Sequence, residues 1–273
     1  MKWRTVLCTA LFLCGTVLLS ACGGREMPAP AEPPASSEVS APSQPEEVPA
    51  PSESASSSEP EPPASSVPEK ENPLIVNGVL KSYDTGNQKE IVLPSGKFTR
   101  IDSGCFKNNT TVESVSIPEG VTEIGFASFA QCYNLKSVKL PKSLVKIEQS
   151  AFSGCVALQK IEYPRNARLE LCNYAFGETG LIELNLPENV VLKDECVFAN
   201  CGKLTKVRVE IKGEIRSLTF AGCTSLKTVF LGKGVSAIED YAFDNCSSLS
   251  EINYEGDNKE IQKKIDQLLE KQN

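Results

Sequence analysis

The sequence predicts a repeat solenoid that is mainly β with short turns, about seven to eight coils of about 23 residues, closed by a C-terminal capping helix. The first observation is a phenylalanine that recurs in steps of 22 to 24 residues, at Phe106, Phe129, Phe152, Phe176, Phe198, Phe220 and Phe243. The second is a short apolar alternation after each phenylalanine, and the third is a helical apolar pattern at the end of the chain. One such unit is too small to bury its own apolar side, so the units must stack.

The units share the pattern I-x-x-x-A-F-x-x-C-x-x-L-x-x-V-x-L-P, which Ala151–Leu158 and Ala242–Leu249 match closely, and one whole unit runs from Val121 to Pro141. Period-two alternation places Val138 and Leu140 on one face of a short strand. The proline that follows closes the strand and turns the chain. The segment around the phenylalanine is too short for a regular helix, so we expect a tight turn or a single helical turn there.

This pattern resembles the BspA-like (Treponema pallidum-type) leucine-rich repeats of bacterial surface proteins, over about residues 74–256. The resemblance implies a leucine-rich-repeat solenoid that binds ligands at the cell surface, since related proteins include adhesins. Three features depart from the pattern: Thr179 replaces the cysteine of its unit, whose strand is shifted by one position, Lys193 stands where an apolar residue is expected, and the last three units lack the closing proline.

Both ends of the solenoid need caps, because open ends would expose the core. Asn77-Gly78 between apolar residues predicts a hairpin at the start, and Ile91-Val92-Leu93 predicts the first strand. Residues 257–273 carry apolar side chains at helical spacing, with Asp257 or Asn258 as N-cap. We expect this helix to close the last coil; a partner-binding helix is the alternative.

The N-terminus predicts export. Residues 1–21 contain the basic Lys2 and Arg4 and then an apolar run, which is the pattern of a signal peptide. The sequence Leu19-Ser20-Ala21-Cys22 resembles the lipobox of bacterial lipoproteins, which implies that Cys22 is lipidated and anchors the chain to a membrane. The alternative is an ordinary Cys22 in a plain signal peptide or a short membrane anchor. The predicted location is therefore extracytoplasmic, on the bacterial membrane or cell surface.

Residues 22–73 predict a disordered linker. They hold 13 of the 18 prolines and ten Glu against two basic residues, and no aromatic residue. Such a composition cannot bury enough apolar surface to offset the entropy of ordering. We interpret the segment as a spacer, with a PxxP-type ligand as the alternative. Because the linker carries most of the net charge of −7, the repeats are nearly neutral, which argues against a nucleic-acid partner.

Five of the eleven cysteines occupy one repeat position and should stack inside the solenoid: Cys132, Cys155, Cys201, Cys223 and Cys246. Buried free thiols are the favoured interpretation, and disulfides between neighbouring coils are the alternative. The remaining cysteines of the repeats lie off this position and have no ready explanation: Cys105, Cys172 and Cys196.

The chain has no histidine, which excludes Ser-His-Asp and Cys-His catalysis and histidine metal sites. We predict no enzyme activity, no metal and no cofactor. The outward side chains of the strands predict a binding face for a protein or glycan, whose candidate residues are Lys139, Lys160, Glu162, Glu183, Lys206, Arg208 and Phe230. Phe230 is an aromatic among polar residues, a type favoured as an interface anchor, although a solvated sheet with one stray aromatic is the alternative. A structural envelope lipoprotein without an external ligand is the alternative function.

Overall fold

The computed structural model describes residues 72–165 and 168–271. The chain forms a β-solenoid of eight turns, each of which contributes two short strands to two separate ladders. The predicted signal peptide, lipidation site and nearly all of the predicted linker lie outside the described residues. Within the linker's last residues, Asn72 exchanges two hydrogen bonds with the backbone of Asp84, of 2.8 and 2.9 Å, so the folded part begins slightly before the predicted boundary at residue 74.

The predicted strands that precede each proline position form one ladder, here named the odd-strand ladder. Its members are β3 (Glu90–Val92), β5 (Ser114–Ser116), β7 (Ser137–Lys139), β9 (Lys160–Glu162), β11 (Glu183–Leu186), β13 (Lys206–Val209), β15 (Thr228–Leu231) and β17 (Glu251–Tyr254). Within the ladder, pairing is parallel, but β9 and β11 do not pair, which leaves two four-stranded sheets: β3, β5, β7 and β9, and β11, β13, β15 and β17.

A second ladder, the even-strand ladder, was not predicted. It consists of β2 (Val79–Ser82), β4 (Arg100–Ile101), β6 (Glu123–Ile124), β8 (Lys146–Ile147), β10 (Leu169–Leu171), β12 (Val190–Leu192), β14 (Gly213–Ile215) and β16 (Val235–Ile238). Strand β1 (Leu74–Val76) pairs antiparallel with β2 and closes the N-terminal edge through the predicted hairpin at Asn77-Gly78. Strand β1 and the six even-numbered strands from β2 to β12 form one sheet, and β14 and β16 form another.

The two ladders face each other across one continuous apolar core. The strands point some side chains inward and others outward, so Ile124 in β6 and Val138 in β7 are buried whereas their neighbours are more exposed. The rings of the seven repeat phenylalanines stack nearly parallel in the core, with centroids 4.7–5.6 Å apart. This column joins each coil to the next, because no coil buries its ring without its neighbours.

The turn that carries each phenylalanine has a backbone pattern of its own. The residues two before and two after the phenylalanine adopt positive φ in all seven turns, for example Ala127 (50°) and Gln131 (60°) around Phe129. The N–H groups of these three residues donate to carbonyls of the next coil, at 2.7–3.0 Å. The intervening N–H groups of Ser128 and Ala130 donate to carbonyls within the same turn. The predicted tight turn is therefore also a third line of hydrogen bonding between coils.

The predicted cap at the C-terminus is confirmed as helix α1 (Lys259–Glu270). Asn258 is the N-cap, and its side chain accepts hydrogen bonds from the N–H groups of Glu260 and Ile261. The helix buries Ile261, Ile265 and Leu268, and it packs on β16 and β17. Within the described ranges, no helix has the length and apolar character of a membrane span.

Two departures from the repeat pattern have local structural consequences. Leu184 follows Phe176 by eight residues, whereas Ile161 follows Phe152 by nine, and this missing residue coincides with the break between β9 and β11. The assignment of Lys193 to the apolar position of its unit was wrong, because Leu192 pairs with Leu171 and is buried while Lys193 is exposed. Leu192 thus stands six residues before Phe198 instead of five, and the ladder is interrupted after its strand, β12.

Candidate functional site

The predicted binding face is the outward side of the odd-strand ladder. Five of its seven candidate residues are exposed, and Arg208 and Phe230 are partly exposed. The break between β9 and β11 divides them into two groups. Lys139, Lys160 and Glu162 lie on the first sheet, and the other four lie on the second. The face is thus not the unbroken ladder that the repeat pattern predicts.

The first group is a solvated surface. Lys160 Nζ lies 2.7 Å from Glu162 Oε1, and about three quarters of each side chain is exposed. This hydrogen bond raises the pKa of Lys160 and lowers that of Glu162. Exposed pairs of this kind contribute little to stability, and no aromatic residue lies on the outward face of β5, β7 or β9.

The second group forms a cluster around Phe230. Arg208 and Phe230 are paired residues of β13 and β15, and the Arg208 Cζ atom lies 5.0 Å from the centre of the ring. Lys206 Nζ lies 5.2 Å from the same centre. Both distances are within the range of cation–π attraction. Two cations from the neighbouring strand therefore lie against the Phe230 ring.

Two carboxylates hold the arginine of this cluster in place. Arg208 Nη1 donates to Glu210 Oε1 at 2.7 Å and to Glu255 Oε1 at 3.3 Å. These bonds, that to Glu210 foremost, raise the pKa of Arg208. Glu210 and Glu255 occupy the positions at which earlier units have proline, so the loss of the closing proline supplies the acidic partners. We name Lys206, Arg208, Glu210, Phe230 and Glu255 the Phe230 cluster.

Sequence reasoning found Lys206, Arg208 and Phe230 but missed Glu210 and Glu255, which it treated as local irregularities of the repeat. Glu183 is paired in register with Lys206 and lies at the edge of the cluster's sheet. In the described part of the chain, no group of three or more His, Cys, Asp or Glu side chains is arranged to hold a metal ion.

The thiols predicted to stack do so without bridges. All eight cysteines of the described residues are free. Each of the five repeat thiols donates to the carbonyl oxygen of the phenylalanine one coil earlier, at 3.1–3.4 Å. Cys172 and Cys196 are buried, and Cys105 is half-buried. Burial raises the pKa of Cys105 to about 12, which keeps that thiol protonated at neutral pH.

Two ladders of short parallel strands with a stacked phenylalanine column define a leucine-rich-repeat solenoid, and its outward face offers side chains for binding. A family model described as the BspA type leucine rich repeat region (6 copies) matches residues 81–204 and 169–266. The chain belongs to this family, as the repeat pattern predicted. No curated protein is significantly similar to it in sequence.

Solved structures of similar fold are bacterial leucine-rich-repeat proteins. A leucine-rich repeat protein from Bacteroides ovatus is 25% identical, with a TM-score of 0.57 over 66% of this chain and 50% of that one. This chain thus spans half the length of the Bacteroides ovatus chain. The T. pallidum leucine rich repeat protein is 24% identical, with a TM-score of 0.56 over 70% of this chain and 87% of that one. At 24% identity, the similarity to the T. pallidum protein shows the fold alone.

Proposed function

We propose that this chain is a cell-surface binding protein, without enzymatic activity, that engages a protein ligand through the Phe230 cluster. The observation that carries the proposal is the partly exposed Phe230 ring, against which Lys206 and Arg208 lie. Aromatic and arginine side chains dominate the binding energy of interfaces. Arg208 is already fixed by Glu210 and Glu255, so less side-chain entropy is lost when a ligand binds.

The test compares the full chain with a Phe230→Ala variant in binding to protein extracts of host cell surfaces and of the bacterial envelope. Val92→Ala is the matched control, because Val92 is an outward apolar residue of β3 that is 77% exposed and lies on the other sheet. We expect the control to retain the proteins captured by the natural chain and Phe230→Ala to lose them. Equal capture by all three would contradict the proposal, provided that circular dichroism shows each variant folded.

Two further parts of the proposal concern location. We propose that lipid on Cys22 holds the chain at the membrane and that residues 22–73 space the solenoid from it. Acyl chains on one cysteine supply about 0.8 kcal/mol for each buried methylene group. Labelling of producing cells with an alkyne fatty acid should mark the natural chain and leave Cys22→Ser unlabelled. Labelling of both, or of neither, would remove the anchor from the proposal.

A further inference from the structure

The even-strand ladder opens in one place among the described residues. Strands β12 and β14 belong to consecutive turns, yet no ladder hydrogen bonds join them. A cavity of about 430 Å³ lies here, and residues 190–193 and 211–214 are among those that line it. It is on the other ladder from the Phe230 cluster, so it forms a second candidate site that the repeat pattern does not predict.

The cleft follows from the register defect described above. The extra residue between Leu192 and Phe198 leaves β12 in register with β10, while β14 pairs with β16 instead. The facing edges of β12 and β14 therefore keep backbone N–H and C=O groups that the other turns use between coils. Such unpaired edge groups can donate to and accept from a ligand's hydroxyl groups.

Cations outnumber anions among the charged side chains that line the cleft. Four basic residues line it, against the single carboxylate of Glu214; they are Arg168, Lys193, Lys212 and Arg216. Lys193 is exposed and makes no ion pair within the described part of the chain. Arg216 Nη1 donates to Glu214 Oε2 at 3.4 Å, whereas its Nε is buried without a hydrogen bond, 3.4 Å from Glu239 Oε1.

The remaining cations have partners that a ligand can replace. Lys212 Nζ lies 2.6 Å from Glu188 Oε2, and both side chains are at least 65% exposed. Arg168 Nη2 lies 3.2 Å from Glu170 Oε1, and the arginine is 67% exposed. Exposed ion pairs are worth at most about 1 kcal/mol, so exchange of one carboxylate for another costs little.

We propose that this cleft binds a small hydroxylated organic anion, the simplest example of which is an acidic monosaccharide such as a uronic acid. Cations around the cleft would hold the carboxylate, the strand edges would pair with hydroxyl groups, and the partly exposed Val191 would contact the sugar ring. The cavity volume falls within the roughly 300–1,000 Å³ of small-molecule sites. This site goes beyond the proposed function, because it neither shares a residue with the Phe230 cluster nor requires a protein ligand.

The test is titration calorimetry of the full chain with glucuronate, with glucose as the neutral control and inorganic sulfate as the control for charge alone. Saturable binding of glucuronate and not of glucose is expected. Lys193→Ala and Lys212→Ala should each weaken it by up to about fivefold, because a pair between exposed charges is worth at most about 1 kcal/mol. Lys203→Ala removes the same charge from an exposed position outside the cleft and should leave affinity unchanged, as should Phe230→Ala.

Three outcomes would overturn the proposal. They are no saturable binding of glucuronate, equal loss of affinity in Lys203→Ala and Lys193→Ala, and binding of sulfate as tight as that of glucuronate. If Phe230→Ala were the only variant to lose glucuronate binding, the anion would bind on the odd-strand face, and the proposal that it binds in the cleft would be wrong. Failure of the protein-capture experiment with Phe230→Ala does not affect any of these measurements, so the two proposals fail separately.

Discussion

The thiol of Cys155 donates a hydrogen bond of 3.1 Å to the carbonyl oxygen of Phe129, one coil earlier. The same carbonyl accepts the N–H of Cys132 at 3.3 Å. One buried oxygen thus joins its own turn to the next coil. This arrangement recurs with small variation through the repeats, and it gives the repeated cysteine a role that packing alone does not.

We predict that Cys155→Ala lowers the free energy of unfolding by about 1–3 kcal/mol, because a buried hydrogen bond is lost and a small cavity is left. Cys105→Ala is the control, since Cys105 is half-buried and forms no hydrogen bond of this kind; a smaller loss is expected there. Urea denaturation measures both. Equal losses in the two variants would mean that the bond contributes nothing beyond burial.

The phenylalanine column predicts a larger effect. The Phe152 ring is fully buried between those of Phe129 and Phe176, with centroids 5.1 and 5.2 Å away. Phe152→Ala should cost about 3–5 kcal/mol of unfolding free energy. Phe152→Leu should cost less, because most of the apolar volume stays and only the ring contacts are lost. A double-mutant cycle of Phe129→Leu and Phe152→Leu should give a coupling energy of about 0.5–1.5 kcal/mol; strict additivity would contradict a stacking contribution.

Glu113 predicts an acid-dependent loss of stability. It lies 2.5 Å from Lys136 Nζ and 2.9 Å from Lys89 Nζ, and these bonds, that to Lys136 first, lower its pKa from 4.5 to about 2. Because the pKa is depressed in the folded state, the contribution is complete above pH 4.5 and is lost as the pH falls through about 2. Melting temperatures measured from pH 6 down to about 2 should therefore converge for the natural chain and Glu113→Gln.

The matched control for this measurement is Glu90→Gln, on the outward side of β3. Glu90 is exposed and has no ion pair in the described part of the chain. Its substitution should produce a difference in melting temperature that does not narrow in acid in the same way. A constant difference for Glu113→Gln across the range would contradict the ion pairs.

The C-terminal cap gives a fourth prediction. Asn258 Oδ1 accepts from Glu260 N at 2.9 Å and from Ile261 N at 3.4 Å. Asn258→Ala should reduce the unfolding free energy by about 1 kcal/mol, whereas Asn258→Asp should retain the cap. Amide hydrogen exchange should show faster exchange in α1 first, since the helix end frays before the coils open. No change in exchange within α1 would show that packing of Ile261 and Ile265 alone fixes the helix.

The solenoid was predictable because each coil repeats the same apolar columns, which survive the loss of single residues such as the cysteine replaced by Thr179. The even-strand ladder was not predictable from the sequence. Its strand at Glu123–Ile124 has two residues and one buried side chain, too few for an alternation to be seen. Its hydrogen bonds join residues a full coil apart, for instance Gly125 N to Ile101 O, and no local pattern encodes such pairing.

The candidate sites were also only partly predictable from the sequence. Phe230 was found because an aromatic residue interrupts a polar column, which is a signal within the sequence. The acidic partners Glu210 and Glu255 were missed, since their meaning depends on where the neighbouring strand places Arg208. The cleft was missed because it arises from a mismatch between two strands. The only signal was Lys193, and it pointed to an irregular repeat and not to an opening.

The paired positive-φ residues of each phenylalanine turn have a consequence for how such a chain changes over generations. Turns such as those at Phe129 and Phe152 present their donors toward the next coil in the same order, so coils with matching turns can stack on one another. Duplication or deletion of a whole unit by recombination needs no new interface to be invented. Shifts of one residue, as around Phe176 and Phe198, instead coincide with breaks in the strand ladders. The number of repeat units can therefore change without a new interface, whereas one-residue changes within a unit alter the local structure.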